Sequence, residues 1–146
     1  MIKRLLAVVA AVFVVSACGE SPQTASLSSP PPAPPPPTKS WMVFFDTDST
    51  KLSDQAQSTV GQAAGVAKSM ANSKVTVTGY TDTEGAVAYN KALSLRRANA
   101  VKDALVRAGL SPQSITVGGD GEQGLLVPTA DGVREPQNRR VEIVIQ

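Results

Sequence analysis

Apolar and polar residues alternate along the chain in several distinct rhythms. Eleven unbroken apolar residues, Leu5 to Val15, follow Met1-Ile2-Lys3-Arg4 and run into Ser16-Ala17-Cys18-Gly19. Residues 19 to 40 then lack any hydrophobic period and center on Pro30-Pro31-Pro32-Ala33-Pro34-Pro35-Pro36-Pro37. From Trp41 the pattern becomes that of a folded domain. Met42-Val43-Phe44-Phe45 predicts a short strand, broken by the polar run Asp46-Thr47-Asp48-Ser49-Thr50. Ala56, Val60, Ala63, Ala67 and Met70 recur at helical spacing behind Ser53-Asp54, which are candidate N-caps. Val75, Val77 and Gly79 alternate with Thr76, Thr78 and Tyr80, the period of a half-buried strand. A second helix is predicted from about Ala88 to Ala108, with Leu93, Val101, Ala104, Leu105 and Ala108 on one face and Gly109 as its stop. Ile115 and Val117 suggest a third strand, and Val141, Ile143 and Ile145 a fourth, with a Gly- and Pro-rich loop over 118–138 between them. The order β-α-β-α-β-β predicts an α/β (α+β) two-layer sandwich with both helices on one face of the sheet.

The first two rhythms describe an address and a spacer. A charged start, an apolar run and small residues before a cleavage point mark residues 1–17 as an export signal. Eleven helical residues at about 1.5 Å each cover only about half of a hydrocarbon core, which argues against a membrane-spanning helix. Val15-Ser16-Ala17-Cys18 resembles the bacterial lipobox, with Val in place of the usual Leu. That resemblance implies cleavage before Cys18 and acylation of Cys18, the chain's one cysteine. At about 0.8 kcal/mol per buried methylene, several acyl chains anchor a protein stably. Gly19 after the Cys, rather than Asp, implies the outer membrane by the sorting rule of enterobacteria. Residues 18–40 are then an acylated N-terminus with a polyproline II spacer, able to reach roughly 70 Å at about 3.1 Å per residue. Residues 41–146 form the globular domain.

Composition narrows the chemistry. With no histidine among 146 residues, imidazole bases, Ser-His-Asp triads and histidine-ligated metal sites are impossible. Carboxylate pairs alone can cleave glycans, but Asp46, Asp48 and Asp54 fall in a turn and a helix cap. No enzyme activity and no cofactor are expected. The formal charge of +2 is too small to argue for nucleic acid. Removing Lys3 and Arg4 with the signal leaves 12 basic side chains against 12 acids, so recognition must rest on local pairs.

One such pair is suggested by position. Thr81-Asp82-Thr83-Glu84-Gly85 joins the end of a strand to the start of a helix, a place where polar groups often face ligands, though a plain turn would use the same residues. Counting back from Leu105 in fours gives Val101, Arg97 and Leu93, so Arg97 lies on the apolar line of its helix. A guanidinium aimed at the core side must be paired or bound to an anion. Asp82 and Asn90 are the nearest candidates to share its site. A carboxylate and a guanidinium at one pocket can grip a zwitterion, or simply bridge to each other without a ligand.

Thr81-Asp82-x-x-Gly85, Asn90-x-x-Leu93-Ser94-x-x-Arg97-Ala98-x-x-Val101, Gly121-Glu122 and Asn138-Arg139-Arg140-Val141-Glu142 together resemble the successive signatures of the OmpA-like peptidoglycan-binding domain. Val43-Phe44-Phe45-Asp46-x-Asp48 matches its opening, and the likeness covers essentially all of 41–146. With the lipobox and the proline spacer, the whole chain is similar to lipoproteins of the Pal type. The resemblance implies non-covalent binding of peptidoglycan through the diaminopimelate of its stem peptides, tethering the outer membrane to the cell wall. It assigns Asp82 and Arg97 to the ammonium and carboxylate of that residue's free end, and places Thr81, Asn90 and Asp48 around the same pocket. It gives Asn138 and Arg140 a mainly structural role. Two positions depart from the pattern: Tyr80 stands where His is frequent, which is expected to alter stacking at the pocket edge, and Asp120 stands where an aromatic or basic residue is common. The alternative is an envelope domain of the same fold that serves mainly a protein partner, such as a TolB-like component or an assembly complex.

Replacing Cys18 by Ser is expected to move the protein from the membrane to the soluble fraction on cell fractionation. Unchanged membrane association would refute lipidation.

Overall fold

The computed structural model describes residues 38–146. The expected signal 1–17, Cys18 and the expected spacer through Pro37 lie outside the described residues. The alternating segments form four strands, β1 (Lys39–Phe44), β2 (Val75–Tyr80), β3 (Ile115–Gly121) and β4 (Arg140–Ile145). Two helices, α1 (Asp54–Ser69) and α2 (Val87–Arg107), connect β1 to β2 and β2 to β3. Ser53 caps α1 as expected, its hydroxyl accepting from the Ala56 amide at 3.1 Å. Gly109, at φ +101, turns the chain just past the Ala108 cap of α2.

The strands lie in the order β1-β4-β2-β3. The last strand in sequence is therefore interior, antiparallel to both β1 and β2, while β2 and β3 run parallel. Val43, Val75, Val77, Val141, Ile143 and Ile145 all point to one side, where Ala56, Val60, Ala63 and Ala67 of α1 and Ala98, Val101 and Leu105 of α2 cover them. Both helices thus share one face of the sheet, as the pattern predicted. Met42 and Phe44, which face the other way on the edge strand, stay exposed.

Two boundaries differ from the sequence expectation, each because backbone pairing outruns side-chain patterning. β1 starts at Lys39, inside the expected spacer, because Lys39 and Ser40 pair with Ile145 and Val144 while their side chains remain in solvent. β3 continues through Gly118-Gly119-Asp120-Gly121, where a loop was expected, because this run pairs with the end of β2. Gly79 of β2 and Gly119 of β3 are needed for clearance. A Cβ on Gly79 would lie 2.0 Å from the Ser94 carbonyl oxygen, and one on Gly119 2.5 Å from the Leu95 nitrogen. α2 therefore rests almost directly on the backbones of β2 and β3, and Ser94 completes the contact by accepting from the Gly121 amide at 2.9 Å. This close seat sets the height of every α2 side chain over the ends of the strands.

Gly79→Ala should consequently destabilize the fold by about 3 kcal/mol or more, since the methyl meets backbone that cannot yield. Gly61→Ala, exposed on α1 with nothing within 4 Å of the new Cβ, should instead stabilize by up to about 1 kcal/mol. Urea unfolding of the two variants checks both signs.

Candidate functional site

Where the C-terminal ends of β1 and β2 meet the first turns of α2 and the segment leading into β4, the chain encloses a cavity of about 310 Å³. Thr47 and Asp48 come from the loop after β1; Asp82, Glu84 and Gly85 from the turn after β2. Tyr89, Asn90, Leu93 and Arg97 descend along α2, and Arg134 and Arg139 close the wall from the last loop. Gly85, at φ +100, lets the chain reverse from β2 into α2.

Arg97 is fully buried. Its guanidinium donates to three backbone carbonyls: Nε to Ser49 at 2.9 Å, Nη2 to Asp46 at 2.9 Å and Nη1 to Tyr80 at 3.3 Å. It also lies 5.4 Å from the center of the Phe45 ring. Burial pushes its pKa down to about 10, the negative charges of Asp82 and Asp48 opposing that shift and Arg139 adding to it. The group is therefore still charged at neutral pH.

Asp82 and Arg97 both line the cavity, but they are not each other's hydrogen-bond partners. Asp82 Oδ2 accepts from Arg139 Nη1 at 3.1 Å and from the Glu135 amide at 3.2 Å. Arg139 in turn donates Nε to the Phe45 carbonyl at 3.2 Å. The buried ion pair thus joins the turn after β2 to the residue that precedes β4. Asn90, also buried, directs its amide at the carbonyls of Glu84 (3.1 Å) and Asp82 (3.4 Å) and at Glu122 Oε2 (3.2 Å), so it holds the turn that carries Asp82.

Asp48 adopts the left-handed conformation (φ 51) and accepts a hydrogen bond from the Tyr89 hydroxyl, which raises the phenol's pKa. At the outer rim Arg134 pairs with Glu84 and holds that carboxyl below its ordinary pKa. Thr83 fastens the same loop, accepting from the Val133 amide at 3.1 Å and donating to the Ala130 carbonyl at 2.7 Å.

Of the residues proposed from sequence, the fold brings Asp48, Asp82, Asn90 and Arg97 to this cavity. Thr81 does not line it. Its side chain is buried with no hydrogen-bond partner for Oγ1, while its amide donates to Gly121 at 2.8 Å. Asn138 exchanges two hydrogen bonds with the Val127 backbone, at 2.8 and 2.9 Å, a structural use. Arg140 lies on the opposite face of the sheet, its guanidinium 4.1 Å from the center of the Tyr80 ring. The expectation that Tyr80 alters stacking at the pocket edge is therefore corrected: only its carbonyl reaches the site, through Arg97, and its ring is taken by Arg140.

The residue that sequence reasoning passed over is Arg139. A signal for it existed, since the inward positions 141, 143 and 145 extend backward to 139, placing Arg139 on the helix side and Arg140 on the other. Tyr89, Glu84 and Arg134 carried no comparable signal. The cavity therefore holds three carboxylates, Asp48, Asp82 and Glu84, against three guanidiniums, Arg97, Arg134 and Arg139. Such a lining suits a ligand bearing both signs of charge. Among the described residues, no group of three or more His, Cys, Asp or Glu could hold a metal ion.

A model of the OmpA family matches residues 44–139, a span that contains every residue of the cavity. The chain belongs to the OmpA family. It is 42% identical over 113 residues to an outer membrane protein of Gluconacetobacter diazotrophicus, covering 73% of this chain and 30% of that protein. It is 34% identical over 103 residues to a peptidoglycan-associated lipoprotein of Rhizobium meliloti, covering 70% and 58% respectively. The chain thus spans less than two thirds of either relative. The crystal structure of the peptidoglycan-associated lipoprotein from Burkholderia pseudomallei superposes with a TM-score of 0.67 at 33% identity, over 72% of this chain and 89% of that one. An OmpA-like domain of the Pal type accounts for the two-layer fold.

Because Arg97 holds the loop after β1 to the end of β2, its loss should be felt in stability as well as in binding. Arg97→Ala is expected to cost this OmpA-family domain about 3 kcal/mol or more, by orphaning three carbonyls. Arg97→Lys should recover only part of that, since one ammonium lacks the planar fork. Urea midpoints of the two variants measure the difference.

Proposed function

We infer that this protein binds peptidoglycan non-covalently through the diaminopimelate of its stem peptides and, anchored by lipid on Cys18, tethers the outer membrane to the cell wall. The observation that carries this reading is the charge-balanced cavity, in which Asp82 and Arg97 are buried and held in place by hydrogen bonds. Diaminopimelate ends in a carbon that bears both an ammonium and a carboxylate. Asp82 and Asp48 are the acceptors for the ammonium; Arg97 and Arg139, each with terminal N–H groups left over from the bonds described, are the donors for the carboxylate. A site of this kind holds its ligand and needs no general base. Relatives named outer membrane protein and peptidoglycan-associated lipoprotein support an envelope location; in our reading the domain faces the periplasm. Met42 and Phe44, exposed on the edge strand, favor a second role in docking a TolB-like protein partner.

The test is co-sedimentation with purified sacculi. Wild type should pellet, whereas Asp82→Ala and Asp48→Asn should lose about tenfold or more in affinity, equivalent to about 1.4 kcal/mol, with circular dichroism confirming that they fold. Sacculi whose stem peptides carry lysine lack the ligand's carboxylate and should bind weakly. Full retention of folded Asp82→Ala would sink the assignment.

A further inference from the structure

A second cavity, of about 440 Å³, is lined by Asp46, whose carbonyl binds Arg97, and shares Arg139 with the first. Its chemistry is different. Phe44, Phe45 and Pro136 supply apolar surface, and Lys51 and Arg139 supply two cations against the single carboxylate of Asp46. Arg139 uses Nε on the Phe45 carbonyl and Nη1 on Asp82, and its Nη2 makes no hydrogen bond among the described residues. The lining therefore suits a small apolar group that carries a carboxylate.

We propose that this second cavity is a subsite for the terminal D-alanine of the stem peptide whose diaminopimelate occupies the first. The proposal rests on the peptidoglycan reading above. D-alanine follows diaminopimelate in the stem, it is a methyl group with a free carboxylate, and Arg139 forms a wall common to both cavities. The methyl packs against Phe45 and Pro136. The carboxylate meets the Lys51 ammonium and the remaining Arg139 donors, a charge-assisted contact. The two cavities together read the end of the stem: the first recognizes its zwitterionic side chain, the second its apolar, carboxylate-bearing C-terminus.

Calorimetric titration of the purified full chain in detergent, with synthetic stem tripeptide, tetrapeptide and tetrapeptide C-terminal amide, tests this. Wild type should bind the tetrapeptide roughly three- to tenfold more tightly than the other two, the range of one partly exposed charge contact. Lys51→Ala should abolish that preference while leaving tripeptide affinity within about twofold. Equal binding of all three peptides by wild type, or a preference that survives Lys51→Ala, overturns the subsite while leaving the first cavity's assignment intact. Loss of tripeptide binding in Lys51→Ala would make Lys51 structural and also overturns it. Failure of wild type to bind any of the peptides overturns the peptidoglycan reading itself, and this subsite with it. In a parallel NMR titration the Phe44 and Lys51 amides should shift with the tetrapeptide. Their silence toward every peptide would leave the groove to a protein partner and refute the proposal.

Discussion

A guanidinium taken wholly out of water must be surrounded by oxygen, and the site is arranged around meeting that demand for Arg97. It does so mainly with main chain: the carbonyls of Asp46 and Ser49 from the loop after β1, and that of Tyr80 at the end of β2. Carbonyls of irregular segments have no strand partner to lose, so pointing them at one cation satisfies both sides. The same geometry fixes the loop that carries Asp48 relative to the turn that carries Asp82. A charge that would be a liability in an apolar core becomes the fastener of the cavity wall.

That fastener works only because α2 is seated low. Glycines at 79 and 119 let the helix backbone approach the sheet to a distance that no side chain would permit. The alanines of both helices continue the same economy of volume over the rest of the core. With few large side chains to fill space, the position of Arg97 and Asn90 over the strand ends is set by backbone contact and has little freedom to drift. A binding site needs this rigidity, since groups held at fixed distances do not have to be ordered when the ligand arrives.

The ion pair of Asp82 with Arg139 shows how topology enters the chemistry. β4 is last in sequence yet lies between β1 and β2, so the residue leading into it arrives beside the turn that follows β2. An Asp and an Arg 57 residues apart in sequence become partners. A chain with β4 at the sheet edge would leave Asp82 without this cation. The carboxylate's neighbors are thus decided by strand order, and the same insertion makes Arg139 a wall of both cavities.

Periodicity and local chemistry determined much of this protein on their own. The alternation of Val75, Val77 and Gly79, the helical spacing through Leu93, Arg97, Val101 and Leu105, and the stop at Gly109 are local rules, so they could be read without knowing any neighbor. The placing of Arg97 toward the core, and the successive motifs shared with the OmpA family, were legible for the same reason. Strand order, the pairing of Arg139 with Asp82 and the pairing of Asp48 with Tyr89 were decided only by the tertiary structure. Each depends on which distant segment the backbone hydrogen bonds bring alongside, and hydrophobic patterning carries a side chain's face but not its partner. Periodicity therefore determined which face of its own element a residue would take, and the folded chain decided which residues would meet.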